Sequence, residues 1–214
     1  MGKIIAVNGS PRSGWNTGIL VREAAEGAKQ AGADVEVVDL YRLEKYSGCI
    51  SCFGCKRQNN LGHCICRDGL YPVLEKIREA DGLILGSPVY LGEVSAGFRA
   101  LYERLIFQYI SYKIDPRSYA QRKIPVVMIF TGNAPEAFFR GEGYGKLVEN
   151  YKNTLTGFIG PTEVLISADT LQVDDYSLYD WTMFDPEAKK KRREEIFPTE
   201  RREAFRLGAA MAKP

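Results

Sequence analysis

Five times along this chain a short apolar run gives way to a polar turn and then to apolar residues at helical spacing, and that alternation restricts the fold more than any other feature. Ile4 to Val7 leads to a helix over Gly18 to Gly32, with Leu20, Ala24, Gly27 and Ala31 on one narrow face. Ala33 to Leu40 alternates Val35, Val37 and Leu40 with charged neighbours, the pattern of a strand near a sheet edge. Asp68 is placed to cap a helix that runs to Ala80, with Leu70, Val73, Leu74 and Ile77 on one side. Gly82 to Tyr90 is the most apolar run and predicts a central strand. After it, Ser95 caps a helix in which Phe98, Leu101, Tyr102, Leu105, Ile106 and Tyr109 keep the i, i+3, i+4 rule. Ile124 to Phe130 and Thr162 to Ala168 supply the last two strands, with a helix marked by Leu147, Val148, Tyr151, Leu155 and Phe158 between them. A charged helix opens near Pro186, and Pro198 breaks or kinks it.

Strands joined by helices lie parallel, and right-handed crossovers leave few topologies. The expectation is an α/β, flavodoxin-like, doubly wound five-stranded parallel sheet of order 2-1-3-4-5 with helices on both faces. With 45% hydrophobic residues and no linker or repeat, residues 1–214 read as a single domain. It carries a cysteine-rich insertion at about 41–68 and a charged C-terminal helical segment at about 186–213. Ligands of such sheets bind beyond the carboxyl ends of the strands, where the order reverses. That rule gathers the loops at 9–17, 88–93 and 131–135, together with the 41–68 excursion, on one rim.

The first of these loops is the most informative. Ser10, Ser13 and Thr17 place three hydroxyls within eight residues, Arg12 adds a fixed charge, and a helix begins at Asn16. A helix start offers free N–H groups and the positive end of its dipole, so the loop suits a phosphate, although an ordinary turn with an Asn or Thr cap has the same local signature. Neither the Gly-Lys-Ser/Thr of the P-loop nor the Gly-x-Gly-x-x-Gly of dinucleotide sites is present.

All five cysteines, Cys49, Cys52, Cys55, Cys64 and Cys66, fall within eighteen residues. Thiols spaced by three can converge on one inorganic cluster, with a fourth ligand from farther along. Cys49, Cys52 and Cys55 with Cys64 or Cys66 would make a set for a [4Fe-4S] cluster; reduced thiols or a redox disulfide without metal, or zinc completed by His63, are the competing readings. Lys plus Arg is 29 against 27 for Asp plus Glu, which gives no electrostatic case for nucleic acid or a membrane surface as partner. No apolar stretch approaches about 18 residues, and the amino terminus enters a strand without the pattern of a signal peptide, so a reducing, cytoplasmic location is expected.

Gly9-Ser10-Pro11-Arg12 leading to Asn16-Thr17, Ser87-Pro88-Val89-Tyr90 after a central strand, and Cys49-x-x-Cys52-x-x-Cys55 between them resemble the iron-sulfur flavoproteins, within the flavodoxin-like NAD(P)H-dependent FMN reductases. The resemblance implies that Ser10, Arg12, Ser13, Asn16 and Thr17 hold the FMN phosphate. It implies further that Pro88, Val89, Tyr90, Leu91 and Gly92, with Thr131, Gly132 and Asn133, border the isoalloxazine ring. It favours Cys64 over Cys66 as fourth ligand, since the family's fourth cysteine lies shortly before an acidic residue like Asp68; the eight-residue gap after Cys55 is longer than the compact motif. A homodimer or homotetramer with flavin near a subunit interface is also implied.

The expected function is an FMN-dependent oxidoreductase that moves electrons between a reduced donor, NAD(P)H or a ferredoxin-like protein, and an acceptor through FMN and a [4Fe-4S] cluster. No side chain is needed as acid, base or nucleophile. An NAD(P)H-dependent FMN or quinone reductase without a cluster, and a non-enzymatic electron carrier or flavin-binding sensor, use the same pocket. Glu93 stands where a neutral residue would be expected to face a flavin. Lys189 to Arg193 read as a solvated helix face or a docking patch for an acidic donor, and Tyr176, Tyr179, Trp181 and Phe184 as anchors of a long loop or a cover for a neighbour's flavin.

Overall fold

The structure is a computed structural model that describes residues 2–141 and 143–212. Residues 1, 142, 213 and 214, which the expected 1–214 unit and its 186–213 tail include, lie outside the described residues. Strands β1 (Lys3–Asn8), β2 (Asp34–Asp39), β3 (Gly82–Tyr90), β5 (Val126–Thr131) and β6 (Thr162–Ser167) run parallel in the order β2-β1-β3-β5-β6. The two-residue strand β4 (Glu93–Val94) folds back antiparallel on the end of β3. Counted over the parallel strands alone, the order is 2-1-3-4-5, as the alternation of elements predicts.

Side chains alternate across the sheet and divide the core into two layers. Ile5, Val7, Leu83, Leu85, Val126, Met128 and Phe130 face α2 (Tyr71–Glu79), α3 (Ala96–Tyr109) and α5 (Gly145–Phe158), a short α4 (Glu136–Arg140) lying between β5 and α5. Ile4, Ala6, Ile84, Val127, Ile129 and Leu165 face α1 (Asn16–Gln30) and the C-terminal α7 (Phe197–Met211). β3 is buried for eight of its nine residues, the mark of a central parallel strand covered on both faces. β2 stands at the edge, where Asp34 and Val37 are exposed and Val38 alone of its six residues is buried.

Three local expectations change in the folded chain. Asp68 does not cap α2, whose N-cap is Leu70; its carboxylate accepts the Leu70 and Ser47 N–H groups but is claimed mainly by Arg104 of α3. Ser95 does cap α3, accepting the Phe98 N–H. The charged tail forms two helices, α6 (Pro186–Glu195) and α7, with Pro198 in the first turn of the second, where a missing N–H leaves no helical bond unmade. α7 crosses α1 so closely that a Cβ on Gly208 would lie 1.8 Å from the Ala24 carbonyl oxygen, which makes this helix part of the core layer.

Candidate functional site

The loop after β1 closes on the start of α1 without a Cβ at the tightest point: one on Gly18 would sit 1.9 Å from the Ser13 carbonyl. No side chain caps α1, so its first N–H groups are left for a ligand. Several side chains of the loop are held by one distant segment. The Arg12 guanidinium donates to the Gln172 carbonyl at 2.5 Å, and Trp15 and Asn16 both donate to the Leu171 carbonyl, at 3.1 and 2.8 Å. The Thr17 and Thr131 hydroxyls are hydrogen-bonded at 2.7 Å, which ties the first loop to the end of β5.

Above these loops lies a cleft of about 760 Å³ at the carboxyl ends of β1, β3 and β5, the position that the strand-order reversal predicts. It is lined by Ser10, Arg12, Asn16, Thr17, Pro88, Val89, Tyr90, Leu91, Thr131, Gly132 and Asn133, eleven of the thirteen residues expected to contact the flavin. The other two do not line it. Ser13 turns its hydroxyl to the Arg42 guanidinium at 3.0 Å, and Gly92 occupies the turn into β4. That turn has positive φ at both Leu91 (51°) and Gly92 (81°), as a two-residue hairpin requires. Leu91 is fully exposed in this left-handed conformation, which a branched side chain adopts at an energetic cost, so an apolar group is held at the lip of the cleft by the fold around it.

The far wall could not be read from the motifs. Trp15, Tyr144, Thr170, Gln172 and Val173 line the cleft together with Trp181, Met183 and Phe184, so the aromatic loop at 171–185 covers this chain's own cleft. Tyr179 and Trp181 stack at 4.4 Å. Aromatic residues clustered between the last strand and a charged helix were the available signal. Lys189 departs furthest from a solvated helix face: only 6% exposed, it donates to Asn133 and to the Asp169 carboxylate, fastening α6 to the β5 loop. Arg193 lies over Phe197 and donates to Asn16 at 2.6 Å. Glu93 is not among the lining residues. It accepts from Tyr151 at 2.7 Å and from Arg99 at 3.4 Å, and burial with that bond to Glu93 pushes the Tyr151 phenol far above its ordinary range against the pull of Arg99.

All five cysteines line a second, smaller pocket, and none is in a disulfide; the pocket lies against Arg104, Phe107 and Gln108 in the later turns of α3 rather than on the rim of the cleft, because the 41–68 segment runs down that helix to its C-terminal end. Ser51 and Phe53 both have φ of 55°, and these left-handed turns wind the loop so that Cys49, Cys52 and Cys55 face a common space. The loop is bound to the helix at several points. Lys56 caps the C-terminal end of α3 through the Phe107, Gln108 and Ile110 carbonyls, a favourable place for a cation. Cys49 N–H donates to Glu103 at 3.2 Å and Cys64 N–H to Gln108 at 3.1 Å. Arg104 donates to both Asp68 oxygens, at 2.6 and 2.7 Å, and to the Cys66 carbonyl at 2.8 Å. Burial pushes the Cys55 and Cys66 thiols up, against the pull of Lys56 and Arg104 respectively.

Among the described residues no three His, Cys, Asp or Glu side chains stand where they could share one metal ion. Cysteines that hold a multinuclear cluster each bind a different metal atom, so their sulfurs stand farther apart than those around a single zinc. Arg104 and Gln108, 2% and 1% exposed, border the pocket with the Arg104 Nε and Gln108 Nε2 donors unpaired. Leaving a buried donor unpaired costs roughly 1–3 kcal/mol, which an acceptor inside the pocket would remove.

The chain is similar to known proteins in sequence and fold. Residues 2–137 match the family model described as NADPH-dependent FMN reductase. An iron-sulfur flavoprotein of Methanocaldococcus jannaschii is 43% identical over 102 residues, which cover 48% of this chain and 51% of that protein. One of Methanosarcina thermophila is 35% identical over 104 residues, covering 49% and 52%. The chain thus spans about half the length of the curated relatives it matches. The solved NAD(P)H:quinone oxidoreductase from Methanothermobacter marburgensis has the same fold, with a TM-score of 0.72 at 15% identity over 97% of this chain and 98% of that one. With the family model covering well over half of its length and the cleft where that fold binds ligands, this chain belongs to the NADPH-dependent FMN reductase family.

Proposed function

We propose that the protein is an FMN-dependent oxidoreductase which transfers electrons between a reduced donor and an acceptor through FMN and a [4Fe-4S] cluster. The reading is supported by an uncapped helix start beneath a large cleft at the carboxyl ends of the strands, together with a pocket against the later turns of α3 that is lined by all five cysteines and two unpaired buried donors. Ser10, Arg12, Thr17 and the free N–H groups of α1 suit the phosphate, with Asn16 held in place by Leu171 and Arg193. The backbone at 88–92 and 131–133 offers N–H and C=O groups to the edge of a flat heterocycle, and Tyr144, Trp181 and Phe184 keep water from its face. Cys49, Cys52, Cys55 and Cys64 would hold the cluster, and Cys66 lies beside them.

When bound, FMN can take electrons as a pair or singly and a cluster moves one at a time, so together they connect a two-electron partner with a one-electron one. The chain binds, orients and shields. No acid or base side chain is required, and two carboxylates near the ring loops are engaged elsewhere, Glu93 by Tyr151 and Arg99 and Asp169 by Lys189. The donor on this reading is NAD(P)H or a ferredoxin-like protein, the location is cytoplasmic, and the assembly is a homodimer or homotetramer.

Anaerobic purification with a visible spectrum and assays of flavin, iron and acid-labile sulfide tests the proposal. About one FMN and four irons per chain are expected, with the iron lost in Cys52→Ser and the flavin retained. Flavin with neither iron nor sulfide would favour an NAD(P)H-dependent FMN or quinone reductase without a cluster. A chain that fails to bind FMN even at high concentration would overturn the reading altogether.

A further inference from the structure

Arg104 and Gln108 stand one helical turn apart on α3, both buried and both against the cysteine pocket. Every polar atom of these two side chains but one each already has a partner. Arg104 gives one terminal nitrogen to both Asp68 oxygens and to the Ser47 carbonyl, and the other to the Cys66 carbonyl. The Gln108 oxygen accepts the Cys64 N–H, which fixes the orientation of the amide, since the reverse orientation would set two donors against each other. What remains is Arg104 Nε and Gln108 Nε2, two donors without a geometrically formed hydrogen bond, with the Cys64 thiol close to the Arg104 guanidinium. The neighbouring residues that could compete for them are bound elsewhere: Glu103 to Arg99 and the Cys49 N–H, Asp68 to Arg104 itself, and Lys56 to the carbonyls that end α3.

We propose that Arg104 and Gln108 donate these two N–H groups to the sulfur atoms of the iron–sulfur cluster in the cysteine pocket and thereby raise its reduction potential. Reduction adds one electron to the cluster and no atom leaves. The added negative charge falls largely on the sulfurs, and a fixed donor stabilises the reduced form more than the oxidised one. The Arg104 charge, countered by Asp68, acts in the same direction at short range. This inference rests on the cluster proposed above.

The test is a potentiometric titration of the anaerobically purified full chain, following the cluster by electron paramagnetic resonance and the flavin by absorbance. Gln108→Met and Arg104→Lys each remove one of the two donors, and the lysine keeps a cation facing Asp68. Each is expected to lower the equilibrium constant for cluster reduction about tenfold, equivalent to a 59 mV fall for one electron, while the flavin midpoint stays in place. Unaltered protein carrying 15N-arginine or 15N-glutamine supplies a second readout, a hyperfine coupling of each nitrogen to the reduced cluster. That readout decides alone should a variant lose its iron. Unchanged cluster midpoints in both variants, or no coupling in the labelled protein, would overturn the proposal and leave the cluster reading intact. FMN-loaded chain without iron or sulfide would overturn both.

Discussion

Replacing Asp68 by asparagine should unlock the segment that carries the cysteines, and the size of the effect follows from the geometry. Arg104 exposes 1% of its side chain and Asp68 17%, and one Arg104 nitrogen donates to both Asp68 oxygens, at 2.6 and 2.7 Å. Removing one partner of a buried pair leaves an uncompensated charge at roughly 3–5 kcal/mol. Asparagine retains one acceptor and the site is not wholly dry, which places Asp68→Asn near the lower end, at about 3 kcal/mol. For a chain of this length that corresponds to a fall in Tm of roughly 6–12 °C, read by circular dichroism. Asp81→Asn is the control, because its pair with Arg122 is half exposed on both sides and should contribute less than about 1 kcal/mol.

The pH profile supplies a sign. Burial pushes the Asp68 carboxyl up, but bonds from Arg104, Ser47 and Leu70 more than offset it and hold the group below its ordinary value. A carboxyl depressed in the folded state stabilises above the unfolded value of about 3.9, and that contribution is lost as pH falls through the folded one. The gap between parent and variant should therefore be full at neutral pH and shrink below about pH 4. A loss no larger than that of Asp81→Asn, or a gap that widens in acid, would refute the argument.

Thr17→Val removes the hydroxyl bonded to Thr131 beneath the cleft and should weaken FMN binding about tenfold, measured by quenching of flavin fluorescence; an unchanged Kd would place the phosphate elsewhere. Lys189→Met unfastens Asn133 and Asp169 from α6, and since Asp169 is half exposed and can rehydrate, a loss of about 1–2 kcal/mol is expected in urea unfolding, with FMN affinity falling as the β5 loop loosens. Gly208→Ala forces α7 away from Ala24 of α1 and should destabilise the chain by about 1–3 kcal/mol in the same assay, with FMN binding unchanged per folded molecule.

Much of the fold could be read before any coordinates. The apolar runs at Ile4, Gly82 and Ile124 are local patterns, and the parallel order follows from their alternation with helices through a chirality rule that holds for almost any side chains. The helix start after β1 and the cysteine-rich loop were also legible, because both are made by neighbours in the chain. Ser13, by contrast, has the right chemistry and the right place in sequence, yet Arg42, from the segment after β2, engages its hydroxyl.

What sequence alone determined, then, was where strands, helices and chemically apt loops would form, since those depend on residues within a few positions of one another. What only the tertiary structure decided was the fate of polar side chains brought to distant surfaces. Arg104 and Gln108 sit on a helix whose apolar face is obvious, but that their own face lies against the cysteines depends on a loop some fifty residues earlier. Lys189 reads as one of a run of basic residues and is buried because α6 packs over the β5 loop, and α7 belongs to the core because Gly27 and Gly208 let two backbones meet. Burial is a property of contacts across the chain, and a charged residue has the same local pattern whether it ends in water or beneath another helix.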